Sequence, residues 1–213
     1  MRAKHYLIIV LCILLGLSLA SCGTDDFEIK AVRLSSNSYL VVSTDNLSRQ
    51  DEDLLTIYFP DNLEQTPVGS MAKIRLSGLI RESYPPQADA KAVELIDEKA
   101  SVSTNPNLAE RIAWHLGENA YLIDVRSEAE YIAGHISGAI LMPPEVIADR
   151  ISEEIPDREA VLLLYCRTGN RSGQAVKQLQ ELGYSVVINA GGIVEYDGDL
   201  ITGSDPGTIH GMG

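Results

Sequence analysis

The sequence predicts two domains in succession: a small all-β barrel or sandwich, then an α/β domain with a central parallel sheet. Three observations predict this. Residues 29–97 carry short apolar or alternating runs separated by turn residues. Residues 107–203 carry apolar strands that alternate with amphipathic helical stretches. In that second half an apolar run, Val161 to Tyr165, leads into a cysteine loop and then into a helical pattern. That places Cys166 at the carboxyl end of a strand, where ligands of such sheets bind.

The chain has 213 residues, enough for two domains once its beginning is set aside. Arg2, Lys4 and His5 form a basic start, and Tyr6 to Leu19 is an apolar run. The run is short for a membrane span, which needs roughly 20 residues, and reads as a secretory leader. It ends Leu19-Ala20-Ser21-Cys22, which resembles the lipobox of bacterial lipoproteins. That resemblance implies cleavage after residue 21 and a diacylglycerol on Cys22. The expected location is then the extracytoplasmic face of a bacterial membrane, with the protein held there by the lipid.

Cysteine use follows. The chain has three cysteines. Cys12 leaves with the leader and Cys22 is lipidated, so Cys166 is left as an unpaired thiol in an exported protein. Such a thiol is a candidate reactive group. The formal charge is −13, and loss of Arg2 and Lys4 with the leader makes it more negative. An acidic protein of this kind is not expected to bind nucleic acid. Arg167 and Arg171 beside Cys166 then form a local positive site on a negative surface.

Residues 22–28 read as a short tether. Strands are expected over Ile29 to Leu34, Tyr39 to Ser43, Leu54 to Phe59, Ala72 to Ile80 and Ala92 to Ile96. Met71 to Ser77 alternates as a half-buried strand should. The piece Gly78-Leu79-Ile80-Arg81-Glu82-Ser83-Tyr84-Pro85-Pro86-Gln87-Ala88, with the Val93-Glu94-Leu95 strand, resembles an uncharacterised OB-like barrel domain of Gram-positive lipoproteins. The expected role of this half is a spacer or a dock for an unknown protein partner. Residues 98–106 read as a linker. Asn105 followed by Pro106 signals a helix start, and Leu108, Ile112 and Leu116 then form its apolar stripe.

The second half predicts strands at Tyr121 to Val125, Ile140-Leu141, Val161 to Tyr165 and Val186 to Ile188. It predicts helices at Glu128 to Ala133, Pro144 to Ile155 and Ser172 to Leu182. Gly183 supplies the left-handed stop of the last of these. Residues 204–213 read as a flexible tail. In the loop Cys166-Arg167-Thr168-Gly169-Asn170-Arg171-Ser172, successive backbone amides and a helix N-terminus can cradle an anion and lower the thiol pKa.

Asp124-Val125-Arg126, Glu130-Tyr131, Gly134-His135-Ile136, Gly138-Ala139, the Cys166 loop, Leu182-Gly183-Tyr184 and Gly191-Gly192 together resemble a single-domain rhodanese. The resemblance implies that Cys166 is the nucleophile and carries a persulfide. It implies that Arg167, Thr168, Gly169, Asn170, Arg171 and Ser172 cradle the sulfur and a thiosulfate-like anion. A thiol or cyanide would accept the sulfur. Asp124, Arg126, Glu130 and His135 match structural positions of that family. Two departures stand out: Met142-Pro143-Pro144 replaces a single proline, and no tryptophan follows Gly191-Gly192, so the last helix is expected to be short.

A phosphatase or arsenate reductase loop would carry its arginine six positions after the cysteine. Here that position is Ser172, and Arg171 comes one earlier, so the loop closes on a smaller group. No cofactor and no metal are implied, because one free Cys and scattered His form no ligand cluster. The alternative reading is a lipoprotein that binds sulfur, senses redox state or docks a partner without catalysis.

Overall fold

The structure, a computed structural model, describes residues 26–44 and 53–208. The leader 1–21, Cys22 and most of the expected tether lie outside the described residues.

The first half is a closed barrel of five strands: β1 (Phe27–Arg33), β2 (Ser38–Thr44), β3 (Asp53–Tyr58), β4 (Met71–Leu76) and β5 (Gln87–Asp97). Around the barrel the order is β1-β2-β3-β5-β4, with β4 pairing back to β1. Only β3 and β5 run parallel. Alternation along the strands sends Ile29, Ala31, Tyr39, Val41, Leu55, Ile57, Ala72, Ile74 and Leu76 inward, where they form the barrel core. Phe27 and Glu28, expected in the tether, belong to β1, because Phe27 pairs with Leu76 and is buried.

The second half is a fully parallel five-stranded sheet of order β6-β11-β10-β7-β9. Its strands are β6 (Val102–Ser103), β7 (Ala120–Asp124), β9 (Ile140–Leu141), β10 (Val161–Cys166) and β11 (Val186–Gly192). A two-stranded antiparallel pair, β8 (His135–Ile136) with β12 (Leu200–Ile201), stands apart from it. The helices are α1 (Pro106–Leu116), α2 (Glu128–Ala133), α3 (Ile147–Glu154) and α4 (Asn170–Glu181). Asn105 caps α1 by accepting from the Leu108 amide at 2.9 Å.

Both faces of the sheet are covered, which is why β10 is apolar throughout. Val161, Leu163 and Tyr165 face α1. Leu162, Leu164 and Cys166 face α3 and α4, against Ile147, Ile151, Ala175, Val176 and Leu179.

The barrel is not strung on a linker. Val32, Leu34, Leu40 and Leu54 share one apolar cluster with α1 and the sheet. The residues expected as a linker contain β6, which pairs with β11 as an edge of the sheet. The Gly69 carbonyl accepts from Ala100 N at 2.9 Å, and a Cβ on Gly69 would lie 2.2 Å from the Ser185 carbonyl oxygen. Tyr84 of the barrel meets Trp114 of α1 at 6.3 Å between ring centroids. Ser185 precedes β11 and Gly192 ends it. The barrel therefore sits one strand length, about 20 Å, from the Cys166 end of the sheet.

Two further segments differ from expectation. The helix after Cys166 begins at Asn170 rather than Ser172. The start of the expected flexible tail is fastened: Gly138 N donates to Pro206 O, and Ser137 Oγ donates to Thr208 O at 2.6 Å. After Gly191-Gly192 the chain makes a 3-10 turn, Ile193–Glu195.

Candidate active site

Cys166 ends β10, and the chain turns through three residues before α4 starts. Its side chain is 1 % exposed. Gly169 takes φ +90°, a conformation that costs a side-chain-bearing residue but not glycine. That turn aims the Gly169 amide at Cys166 Sγ, 3.1 Å away, and the Ser172 hydroxyl lies 3.6 Å from the same sulfur.

Burial pushes the Cys166 thiol up. The amides of Ser172, Thr168 and Gly169 and the Ser172 hydroxyl oppose it, and their sum holds the thiol below its ordinary value. The N-terminus of α4 points its unpaired amides at the same place.

The arginines divide. Arg171 makes a two-point contact with Glu130, at 2.9 and 2.8 Å. Arg167 is exposed and forms no ion pair among the described residues. Thr168 and Asn170 are exposed at the rim of the loop.

Glu130 serves two partners. With Ser127 it closes a capping box at the start of α2: the Glu130 amide donates to Ser127 Oγ, and Glu130 Oε2 accepts from the Ser127 amide. The Arg171 guanidinium, with the Ser127 donors, holds its carboxyl well down, at about 2, against a smaller opposing effect of burial. A carboxyl held below its unfolded value stabilises the fold above that value and loses the contribution as pH falls. The Glu130–Arg171 pair therefore contributes fully above about pH 4.5 and is lost between there and about pH 2. Both side chains are about one third exposed, so screening limits the pair to about 1 kcal/mol or less. Glu130→Gln is expected to lower Tm by about 2–4 °C at neutral pH, and that gap closes as the pH falls toward 2. A gap that persists unchanged in acid would contradict this.

Asp124 and Arg126 form a buried pair behind the loop. Arg126 Nη2 reaches Asp124 Oδ2 at 2.6 Å and also the Gly134 carbonyl at 2.6 Å, which fixes the turn after α2. His135 is fully buried and stacks on Tyr131 with centroids 3.6 Å apart. Its ring nitrogens lie 2.9 Å from Tyr131 O and 3.1 Å from Asp205 O, so its contacts go to the turn and not to the sulfur.

Two residues that carry the loop are not among the expected site residues, although Gly192 belongs to the Gly191-Gly192 motif. Asn189 on β11 bonds to Gly169, Ser172 and Gly191. Gly192 lies against the loop backbone, and a Cβ there would sit 2.6 Å from Arg167 O and 2.7 Å from Thr168 Cα. The available signal was a polar residue and two glycines at the end of the strand beside Cys166. A groove of about 330 Å³ lined by Glu128, Tyr131, Ile132, Leu141, Arg150 and Pro206 lies beside the site, and no loop residue lines it. Among the described residues, no group of three or more His, Cys, Asp or Glu side chains is placed to hold a metal ion.

The profile of the rhodanese-like domain matches residues 108–199. A thiosulfate sulfurtransferase of Escherichia coli, PspE, is 42 % identical over 71 residues, which cover 33 % of this chain and 68 % of that protein. The chain belongs to the rhodanese-like family. A sulfurtransferase of Allochromatium vinosum is 37 % identical over 103 residues, 48 % of this chain and 89 % of that one. A solved rhodanese with anions from E. coli aligns with 39 % of this chain and 99 % of its own, at 37 % identity and a TM-score of 0.38. The rhodanese-like match begins at residue 108, so the barrel lies outside it.

Proposed function

We propose that this protein is a sulfurtransferase that moves sulfane sulfur from thiosulfate or a similar anion to a thiol or cyanide through a persulfide on Cys166. The observation that carries the proposal is the sulfur's setting: Cys166 Sγ at the head of α4, facing the amides of Thr168, Gly169 and Ser172. The thiolate attacks the outer sulfur of thiosulfate, the S–S bond of the donor breaks, and sulfite leaves with its electron pair. The enzyme then holds Cys166–S–S⁻, whose charge the loop amides stabilise. Cyanide or a thiolate attacks that outer sulfur, and the Cys166 thiolate leaves. Arg167, which forms no ion pair among the described residues, would meet an anionic donor at the rim, while Glu130 occupies Arg171.

The loop geometry favours one sulfur atom over a phosphate group. The position six after the cysteine is Ser172, and the arginine before it is turned onto Glu130.

The test is intact mass after thiosulfate treatment and removal of excess donor. A gain of one sulfur on the peptide bearing Cys166, lost on adding cyanide as thiocyanate forms, is the expected result. No gain with thiosulfate or polysulfide would overturn the catalytic reading in favour of a sulfur-independent binding or redox-sensing protein.

The leader and the Leu19-Ala20-Ser21-Cys22 pattern support lipid anchoring at Cys22 on an extracytoplasmic membrane face. Labelled fatty acid that still enters a Cys22→Ser chain would refute it. The five-stranded order and closure are compatible with an OB-type barrel, for which a spacer or docking role is proposed.

A further inference from the structure

A helix that starts on glycine has no side chain to cap its first turn. Gly169 is the N-cap of α4 and offers none. At this helix such a cap would compete with the sulfur, since the first-turn amides face Cys166. The cap carbonyl accepts the Gly173 amide of the helix at 3.0 Å and is held from outside as well.

Asn189 lies on β11, directly opposite Leu164 of β10. Its Nδ2 donates to Gly169 O at 3.1 Å. Its Oδ1 accepts from Ser172 Oγ at 2.7 Å and from Gly191 N at 3.1 Å. These partners fix which end of the amide points where. Gly169 is thereby held at both ends, its N–H on Sγ and its carbonyl on Asn189. The Ser172 hydroxyl has a single proton. Its Oγ lies 2.7 Å from Asn189 Oδ1, 3.1 Å from Gly169 O and 3.6 Å from Sγ, so Asn189 sets its orientation.

We propose that Asn189 is a positioning residue for Cys166, acting through Gly169 to hold that residue's amide on the sulfur. It touches neither the sulfur nor a sulfur donor. The inference takes Cys166 as the reacting atom of the proposed sulfur transfer, but its test needs no sulfur donor, so the two can fail separately.

The test is the pH dependence of iodoacetamide alkylation in the full chain, read by mass on the peptide that bears Cys166. Loss of the asparagine lets the Gly169 peptide tilt away, which weakens donation to the thiolate. In Asn189→Ala the midpoint is expected to move up by about one pH unit. That is about a tenfold slower reaction below the midpoint, with the high-pH plateau unchanged. Asn189→Leu, uncharged and of similar size, also loses the donor to Gly169. It is expected to shift the midpoint in the same direction, and it serves if the alanine chain does not fold. Asn189→Ala also frees the Ser172 proton for the sulfur, which opposes the shift, so the same change in a Ser172→Ala chain is expected to move the midpoint at least as far.

A purely structural asparagine would lower Tm and leave the midpoint in place. An unchanged or lowered midpoint in both the native and the Ser172→Ala backgrounds would overturn the proposal.

Discussion

Cys166→Ser is expected to abolish the proposed thiosulfate-dependent sulfur transfer, with thiocyanate formation falling to the uncatalysed background. The expectation follows from the chemistry of the position. A hydroxyl there is not ionised near neutral pH and cannot form the S–S bond that stores the transferred atom. The loop is built around the sulfur. The Gly169 amide at 3.1 Å and the amides of Thr168 and Ser172 all favour negative charge at that atom. The fold should survive the change. Serine is smaller, and the Gly169 amide and Ser172 hydroxyl can bond to its oxygen, so the cost is about 1 kcal/mol. Tm should move by only about 2–4 °C. Transfer above background in a folded Cys166→Ser protein would rule out Cys166 as the carrier.

Gly192→Ala should damage both stability and activity, more than its size suggests. Gly192 is paired with Cys166 across the β10–β11 boundary. A methyl group there would lie 2.6 Å from Arg167 O, 2.7 Å from Thr168 Cα and 3.1 Å from Thr168 N. All three atoms are backbone, so no flexible side chain can swing aside. The loop itself must lift, and its amides move with it. Overpacking of this kind costs about 1–3 kcal/mol. A displacement approaching an ångström at a reacting group costs about 100-fold in rate. We therefore expect kcat/KM for sulfur transfer to fall at least tenfold, with a lowered Tm. Gly183→Ala is the control. Its φ of +94° carries conformational strain, yet nothing lies within 4 Å of the added atom. It should lose about 1 kcal/mol of stability and no activity. Normal activity in a folded Gly192→Ala protein would show that the loop does not need this contact.

Much of the fold was legible because its signals are local. Alternation marked the barrel strands, and Asn105-Pro106 marked the start of α1. The apolar run into Cys166 marked β10, and the loop after it carried its own chemistry. What escaped depends on distance. Arg171 finds Glu130 41 residues earlier, and nothing at either position announces the other. Asn189 read as the end of a strand because it is polar, whereas β11 continues through it to Gly192. β6 is two residues long, too short for any period to show. Val32, Leu40 and Leu54 are apolar strand residues like those lining the barrel, and Leu34 directly follows β1, yet they pack with α1 and the sheet. Apolar character fixes burial but does not say which core a side chain joins.

The edge strand β6 bears on how the chain can be divided. It is a piece of the second half's sheet carried on the approach from the first half. A fragment cut at residue 107, the natural place by composition, would leave Ile188 and Asn189 on β11 without the partners that β6 supplies. A bare parallel edge is a template for another chain. Such a fragment would tend to stick to its own copies, whereas one that begins before Val102 keeps its edge covered. The boundary of the catalytic half as a working piece of protein thus lies upstream of residue 108, where the rhodanese-like match begins.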